Sequence, residues 1–151
     1  MKLSTKGRYG LRALIDLAVY SEESAVSIGS IAARQKISES YLEQLMAKLR
    51  KAGLVVSIRG AGGGYRLARP AGEISVGDIL RALEGNLEAV ACDGLKSDRG
   101  CEDADVCVTK YVWQKINESI TRAVDDIKLS QLVEEGKKVK NIEQPCQNGC
   151  K

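Results

Sequence analysis

The sequence predicts a mainly α-helical fold with one small β-hairpin, and three observations carry that expectation. Apolar residues recur at helical spacing along most of the chain, as in Leu42, Leu45, Met46 and Leu49. The 151 residues contain no phenylalanine and a single tryptophan, so Leu, Ile, Val and Ala must build the core. One short alternating stretch brackets a run of glycines between residues 54 and 69. A chain of this length can bury a real core as one domain with an appendage.

Taken in order, Ser4 or Thr5 can cap a first helix over residues 5–20, with Leu11, Leu14, Ile15 and Ala18 on one face. Ser27 can cap a short second helix carrying Ile28, Ile31 and Ala32, and Gln35-Lys36-Ile37-Ser38 makes a tight connection to a third over 38–52. Gly53 stops that helix. Leu54-Val55-Val56-Ser57-Ile58-Arg59 reads as a strand, the glycines of 60–64 as a turn, and Tyr65-Arg66-Leu67-Ala68-Arg69 as the returning strand. Ser75 caps a helix over 76–84 whose inner face is Ile79, Leu80 and Leu83. Residues 85–107 lose periodicity. A long helix over 108–128 follows, in which Thr109, Trp113, Ile116, Ile120, Ala123 and Ile127 recur at alternating steps of four and three. That seam is the pattern of two long helices packed side by side. Ser130 begins a short last helix, and residues 136–151 read as a loose tail.

Three helices, a tight turn and a hairpin make a winged helix-turn-helix, here joined to a long C-terminal dimerisation helix. Four segments follow: a DNA-binding unit over 1–70, a connecting helix and cysteine loop over 71–107, the dimerisation and terminal helices over 108–135, and the tail over 136–151. The charge distribution agrees. Residues 1–70 hold 12 Lys and Arg against 5 Asp and Glu, whereas residues 71–151 hold 11 against 15. A basic half suits a polyanion.

The outward face of the third helix carries Ser40, Glu43 and Gln44, with Ser38 at its start; Ser and Gln can read base edges and Glu can accept from a cytosine amino group. Arg59 stands beside Gly60, Gly62, Gly63 and Tyr65 at the wing, where glycine permits close approach of backbone to nucleic acid. A nucleotide phosphate loop would need Lys-Ser/Thr opening a helix after the glycines, and a strand follows instead. Lys6, Arg8, Lys48, Arg50 and Lys51 are the expected phosphate contacts. The chain has no histidine, which removes the commonest general base and the serine–histidine triad, and no catalytic constellation stands upstream of Cys92. An enzyme is not expected. No apolar run is long enough to span a membrane, and Met1–Gly7 lacks a signal-peptide stretch, which predicts a cytoplasmic protein.

All five cysteines fall late: Cys92, Cys101, Cys107, Cys146 and Cys150. An odd count without a leader argues against a disulfide framework. The spacing of the first three is not that of two Cys-x-x-Cys zinc pairs, and is compatible with zinc, an iron–sulfur cluster or reactive thiols.

Leu3-Ser4-Thr5-Lys6-Gly7-Arg8-Tyr9, Ile37-Ser38-Glu39-Ser40-Tyr41-Leu42-Glu43-Gln44-Leu45 and Leu54-Val55-Val56-Ser57-Ile58-Arg59-Gly60-Ala61-Gly62-Gly63-Gly64-Tyr65, followed by the cysteine segment, resemble the Rrf-two family of bacterial regulators over about residues 1–135. The likeness is greatest to its iron–sulfur cluster regulators. It implies a homodimer that binds a double-stranded DNA operator and senses iron–sulfur status through a [2Fe–2S] cluster held by Cys92, Cys101 and Cys107. It further implies repression of cluster-assembly genes, with iron–sulfur assembly proteins as cluster donors. A nitric-oxide or thiol-sensing repressor of the same family is the alternative. Cluster-binding relatives place a histidine three residues after the last cysteine, and this chain has Lys110. A fourth ligand must then come from Glu102, Asp103 or Asp105, from Cys146 or Cys150, or from a carboxylate of the winged-helix unit. Glu43 is the foremost candidate, although Ser40-Tyr41-Leu42-Glu43 also has capping-box spacing.

Overall fold

The computed structural model describes residues 3–96, 102 and 107–141. The three N-terminal helices form where their caps foretell. Ser4 caps α1 (Thr5–Tyr20), Ser27 caps α2 (Ile28–Gln35) and Ser38 caps α3 (Glu39–Lys51), each hydroxyl accepting a backbone N–H of the first turn. Lys36 ends α2 in the left-handed conformation at φ 55°, and the Ile37 N–H closes the turn on the Ala32 carbonyl at 3.0 Å. α3 then leaves at once, which is the helix-turn-helix connection.

β1 (Val55–Ile58) and β2 (Gly64–Leu67) pair antiparallel, with Val55 opposite Leu67 and Ile58 opposite Gly64. The hairpin is tied to the body by one further bridge, where Val26 and Tyr65 exchange N–H···O bonds of 2.9 and 2.8 Å. Gly64 permits this approach: a Cβ there would lie 2.2 Å from the Val26 carbonyl oxygen. After a 3-10 turn (Ala71–Glu73), the Ser75–Asp78 capping box starts α4 (Val76–Glu84), each partner accepting the other's N–H at 3.0 Å. α5 (Asp93–Lys96) is one turn inside the stretch expected to lack structure. α6 (Thr109–Asp126) and α7 (Leu129–Asn141) complete the described residues.

α7 corrects the expected C-terminus. It begins one residue before Ser130 and continues to Asn141, so residues 136–141 are helical and not part of a loose tail. It is held at its start by a backbone exchange between the chain entering α4 and the chain leaving α6: Val76 N–H to the Ile127 carbonyl at 2.9 Å, and Leu129 N–H to the Ile74 carbonyl at 2.8 Å. Leu129 and Val133 then enter the main core with Leu14, Leu17, Ile31, Leu42, Leu45, Met46, Leu49, Leu54 and Ile79. The terminal helix therefore belongs to the same core as the winged helix.

The seam expected along α6 is divided. Ile120, with Val124, packs on a smaller cluster of Val76, Leu80 and Leu87. Val108, Tyr111, Val112 and Ile116 form a second stripe at steps of three, one and four, and all four are exposed. α6 has no buried residue in this single chain.

A buried carboxylate anchors a polar contact at the edge of the core. The Asp16 carboxylate of α1, 5% exposed, accepts from Arg34 Nε and Nη2 at 2.9 and 2.7 Å and from Gln35 Nε2 at 2.9 Å. Arg34 stacks over the Tyr20 ring at 4.0 Å, and Arg12 Nη2 donates to the Gln35 carbonyl at 2.7 Å. These bonds join α1 to the last turn of α2. Asp16→Ala leaves those donors without their acceptor and should cost about 2 kcal/mol, read as a lower urea midpoint with unchanged slope. An unchanged midpoint would show that water replaces the carboxylate without loss.

Candidate nucleic-acid interface and cysteine segment

At 3.6 residues per turn, the buried Leu42, Leu45, Met46 and Leu49 of α3 leave Ser40, Gln44, Ala47 and Lys51 as a stripe pointing directly outward. All four are exposed, as are Glu39, Glu43 and Arg50 on one flank and Lys48 on the other. Ser38, not Ser40, caps the helix, its Oγ accepting the Tyr41 N–H at 3.2 Å, so Glu43 has no capping-box role. Tyr41 leans from the Lys48 flank toward α1, meeting the Tyr9 ring edge-on at 6.2 Å, with its hydroxyl 3.2 Å from Thr5 Oγ1. The recognition helix is thus braced against the start of α1.

That brace gathers cations. Lys6 of α1, Lys48 and Lys51 of α3, and Arg81 of α4 line one cleft, together with Leu83, Glu84 and Gly85. The three lysines were expected at phosphates; Arg81 was not, because nothing in the spacing of α4 relates it to α3. Glu84 faces away from this cationic cleft in its bonding. Its Oε1 accepts from the Ser4 N–H at 3.1 Å, the Ser4 hydroxyl at 2.5 Å and the Gly7 N–H at 2.9 Å, at the positive end of α1. The Ser4 hydroxyl, seconded by the two N–H groups and Lys6, holds the Glu84 carboxyl below the usual range against the opposing effect of partial burial.

The wing completes the face. Gly60 and Gly62 adopt φ 102° and 78°, closing a turn with Gly63 N–H to Gly60 O at 2.9 Å, and Arg59 is exposed beside them. Tyr65 is placed differently. It is half-buried against the core and its backbone carries the Val26 bridge, so its first role is to seat the hairpin. Arg8 is exposed on α1.

The cysteine segment follows the same C-terminal end of α4, beyond Gly85. Cys92 is half-buried just before α5, its carbonyl accepting the Leu95 N–H at 3.1 Å. Cys107 is half-buried just before α6, its sulfur 3.0 Å from Thr109 Oγ1. The strand of chain entering the segment is held by α6, since Asn117 Oδ1 accepts the Ala89 N–H at 2.8 Å. Cys101, Asp103, Asp105, Cys146 and Cys150 lie outside the described residues, and Glu102 is exposed. Thiol donors at both ends of the segment have the softness that iron–sulfur clusters require. Among the described residues no three Cys, Asp or Glu side chains gather in a metal-sized group, so one chain does not bring Glu43 to Cys92 and Cys107.

The Rrf2 family, described as an iron-dependent transcriptional regulator, matches residues 3–135. The chain belongs to the Rrf2 family. An HTH-type transcriptional regulator IscR of Serratia proteamaculans (strain 568) is 44% identical over 133 residues, covering 88% of this chain and 79% of the relative. The solved structure of T. potens IscR matches with a TM-score of 0.75 and 46% identity, covering 96% of this chain and 94% of that one. CymR, the global cysteine regulator of B. subtilis, matches with a TM-score of 0.73 and 41% identity over 89% of this chain and 98% of its own. This Rrf2 protein is therefore an IscR-like transcriptional regulator with a winged-helix fold, and its relatives are regulators and not enzymes. No described helix is long and apolar enough to cross a membrane.

Glu84 gives the Rrf2 fold a testable acid sensitivity. Its carboxyl is lowered in the folded state, so its stabilisation is complete above the unfolded value and disappears as pH falls through the folded one. Wild type should exceed Glu84→Gln in stability at pH 7, and the gap should close on the acid side of the ordinary glutamate range. A gap that is constant with pH, read by urea melts at a series of pH values, would mean that the charge contributes nothing.

Proposed function

We propose that this Rrf2 protein is a dimeric operator-binding repressor that senses iron–sulfur status through a [2Fe–2S] cluster. The observation that carries the DNA reading is the outward stripe of Ser40, Gln44 and Lys51 flanked by the cleft of Lys6, Lys48 and Lys51. In this reading α3 lies in the major groove, with Ser38, Ser40, Glu43 and Gln44 toward base edges. Arg59 and the glycine turn follow the adjacent groove, and Arg8 and Arg50 meet phosphates beside the cleft lysines. Operator affinity should fall steeply with salt; Lys51→Ala should weaken binding to every sequence and flatten the salt slope by about one unit. Arg59→Ala should instead lose discrimination, and equal losses on specific and random DNA would reduce it to a phosphate contact.

The exposed stripe of Val108, Tyr111, Val112 and Ile116 supports pairing of α6 with its copy. Apolar packing of this kind requires no metal, so apo protein should sediment as a dimer. Ile116→Asp should release monomers at micromolar concentration, and a monomeric wild-type apo protein would refute the pairing.

Cys92, Cys101 and Cys107 are the proposed cluster thiolates, and Glu43 of the partner subunit is the proposed fourth ligand. The cluster, when bound, supplies a site that is lost on oxidation or iron limitation, and assembly proteins would refill it. Anaerobically purified protein should carry about two irons and two sulfides per chain, as the cluster formula requires. Loss of any one of the three cysteines should bleach it, and Cys146→Ala with Cys150→Ala should not. Glu43→Ala should make it labile. An unchanged spectrum and stability in Glu43→Ala, with altered base preference, would assign Glu43 to DNA alone. The likeness to the B. subtilis cysteine regulator favours thiol sensing as a second reading, which colourless protein with reactive thiols would select.

A further inference from the structure

Arg81 belongs to two sites at once. Its side chain lines the cleft of Lys6, Lys48 and Lys51, and it also lines the neighbouring pocket with Asn117 and Thr121 of α6. Its Nη2 lies 2.9 Å from Asp125 Oδ2, to which it donates, and 2.8 Å from Asp125 Oδ1, at an angle too bent for a second hydrogen bond. Gly77 makes the pairing possible. A Cβ at that position would fall 1.9 Å from Asp125 Oδ1 and 2.9 Å from Arg81 Nη1. α4 thus lacks a side chain at the one place where the carboxylate of α6 must pass to reach the guanidinium.

We propose that Arg81 is a fourth phosphate-binding cation of the cleft, and that Asp125 is a latch that holds it back. This rests on the DNA reading above and adds to it a route by which α6 acts on DNA affinity. Three features support it. Both members of the pair are 39% exposed, so the bond is weak enough for a phosphodiester to replace it. A guanidinium binds phosphate through two parallel N–H donors, and Arg81 uses only Nη2 toward Asp125. The other acid at the cleft, Glu84, gives its Oε1 to Ser4 and Gly7, and among the described residues the ion pair of Arg81 is with Asp125 and not with Glu84.

The same α6 begins beside Cys107 and, through Asn117, holds the chain that leads to Cys92. The backbone beside Asp125 is held to the start of α4, so the exchange is one of side chains: as the Asp125 carboxylate turns away from Arg81, the number of cations offered to the DNA backbone rises. Asp125 is accordingly a positioning residue: it meets no nucleic acid and acts through Arg81. The step is an exchange of ion-pair partners, with no bond made or broken.

A labelled random-sequence duplex tests this, because phosphate contacts are independent of base sequence. Binding of the full chain is followed by anisotropy across a salt series. Arg81→Ala should flatten the logarithmic salt slope by about one unit, and Arg81→Lys should restore most of it. Asp125→Asn should tighten binding by up to about five-fold, the upper end for an exposed ion pair. In the Arg81→Ala background the same Asp125→Asn change should have no effect. Equal tightening in both backgrounds would mean a general loss of negative charge and would overturn the latch. So would a slope that Arg81→Ala leaves unchanged. Wild-type protein with no salt-dependent duplex binding would instead remove the DNA reading itself. Sedimentation and thermal melts of each variant separate these effects from a lost dimer or a loosened fold, and Arg81→Lys keeps the slope readable if Arg81→Ala is unstable.

Discussion

The buried carboxylate of Asp16 is the constraint on which the recognition surface depends. A helix-turn-helix is useful only if its second helix leaves the first at a fixed angle, and a three-residue connection has little packing of its own. Here α1 reaches across and grips the last turn of α2 through Arg34 and Gln35, immediately before Lys36 takes its left-handed conformation. The guanidinium is oriented by two nitrogens and by the Tyr20 ring, so its direction is set as well as its distance. The Tyr9–Tyr41 contact then fixes the first turn of α3 to the same α1. Two contacts from one helix thereby define the orientation of the outward stripe.

A second constraint joins the winged helix to the cysteine segment. The backbone exchange of Val76 with Ile127 and of Leu129 with Ile74 ties the end of α6 to the start of α4, and Leu129, at the start of α7, has no exposed surface. The end of α6 is therefore rigidly placed relative to α1 and α4, whereas its first half presents Val108, Tyr111, Val112 and Ile116 to whatever lies outside the chain. Any tilt of that first half must be taken up along the contact of Ile120 and Val124 with Val76, Leu80 and Leu87. That small cluster, separate from the main core, is the mechanical junction between the cysteine-bearing end and the winged helix.

Features written in local sequence were legible, and those that depend on distant polar partners were not. The serine caps at Ser4, Ser27, Ser38 and Ser75 and the periodic Leu, Ile and Val positions determine the first four helices within a residue or two. Gly136 and the lysines around it concealed the last turns of α7, since a glycine followed by charges reads as a helix end. The α6 seam was half legible: the sequence gives the apolar period but does not say which residues its own α4 takes. Asp16, Glu84 and Arg81 each act through a residue 18 to 80 positions away, and no periodicity encodes such a pairing. The cysteine spacing located a segment, but its metal chemistry rested on family likeness.

The acidic residues of the body show how the basic face keeps its field. Asp16 is spent on Arg34, Asp78 on the cap of α4, Glu84 on the start of α1 and Asp125 on Arg81, so each carboxylate near the face has a partner within the fold. Glu39 and Glu43 break this rule. They stand exposed on the recognition helix, where a negative charge beside DNA phosphates opposes binding. A carboxylate kept in such a place costs affinity on every sequence, and it is offset only where it gains a specific donor, such as a cytosine amino group, or a metal. Of the two, Glu39 lies at the first turn near Gly29, its Oε1 3.2 Å from where a Cβ of that glycine would be, and favours the helix dipole. Glu43 has no such local reason. On the proposed function its charge would serve discrimination, between bases or between the cluster-loaded and empty protein.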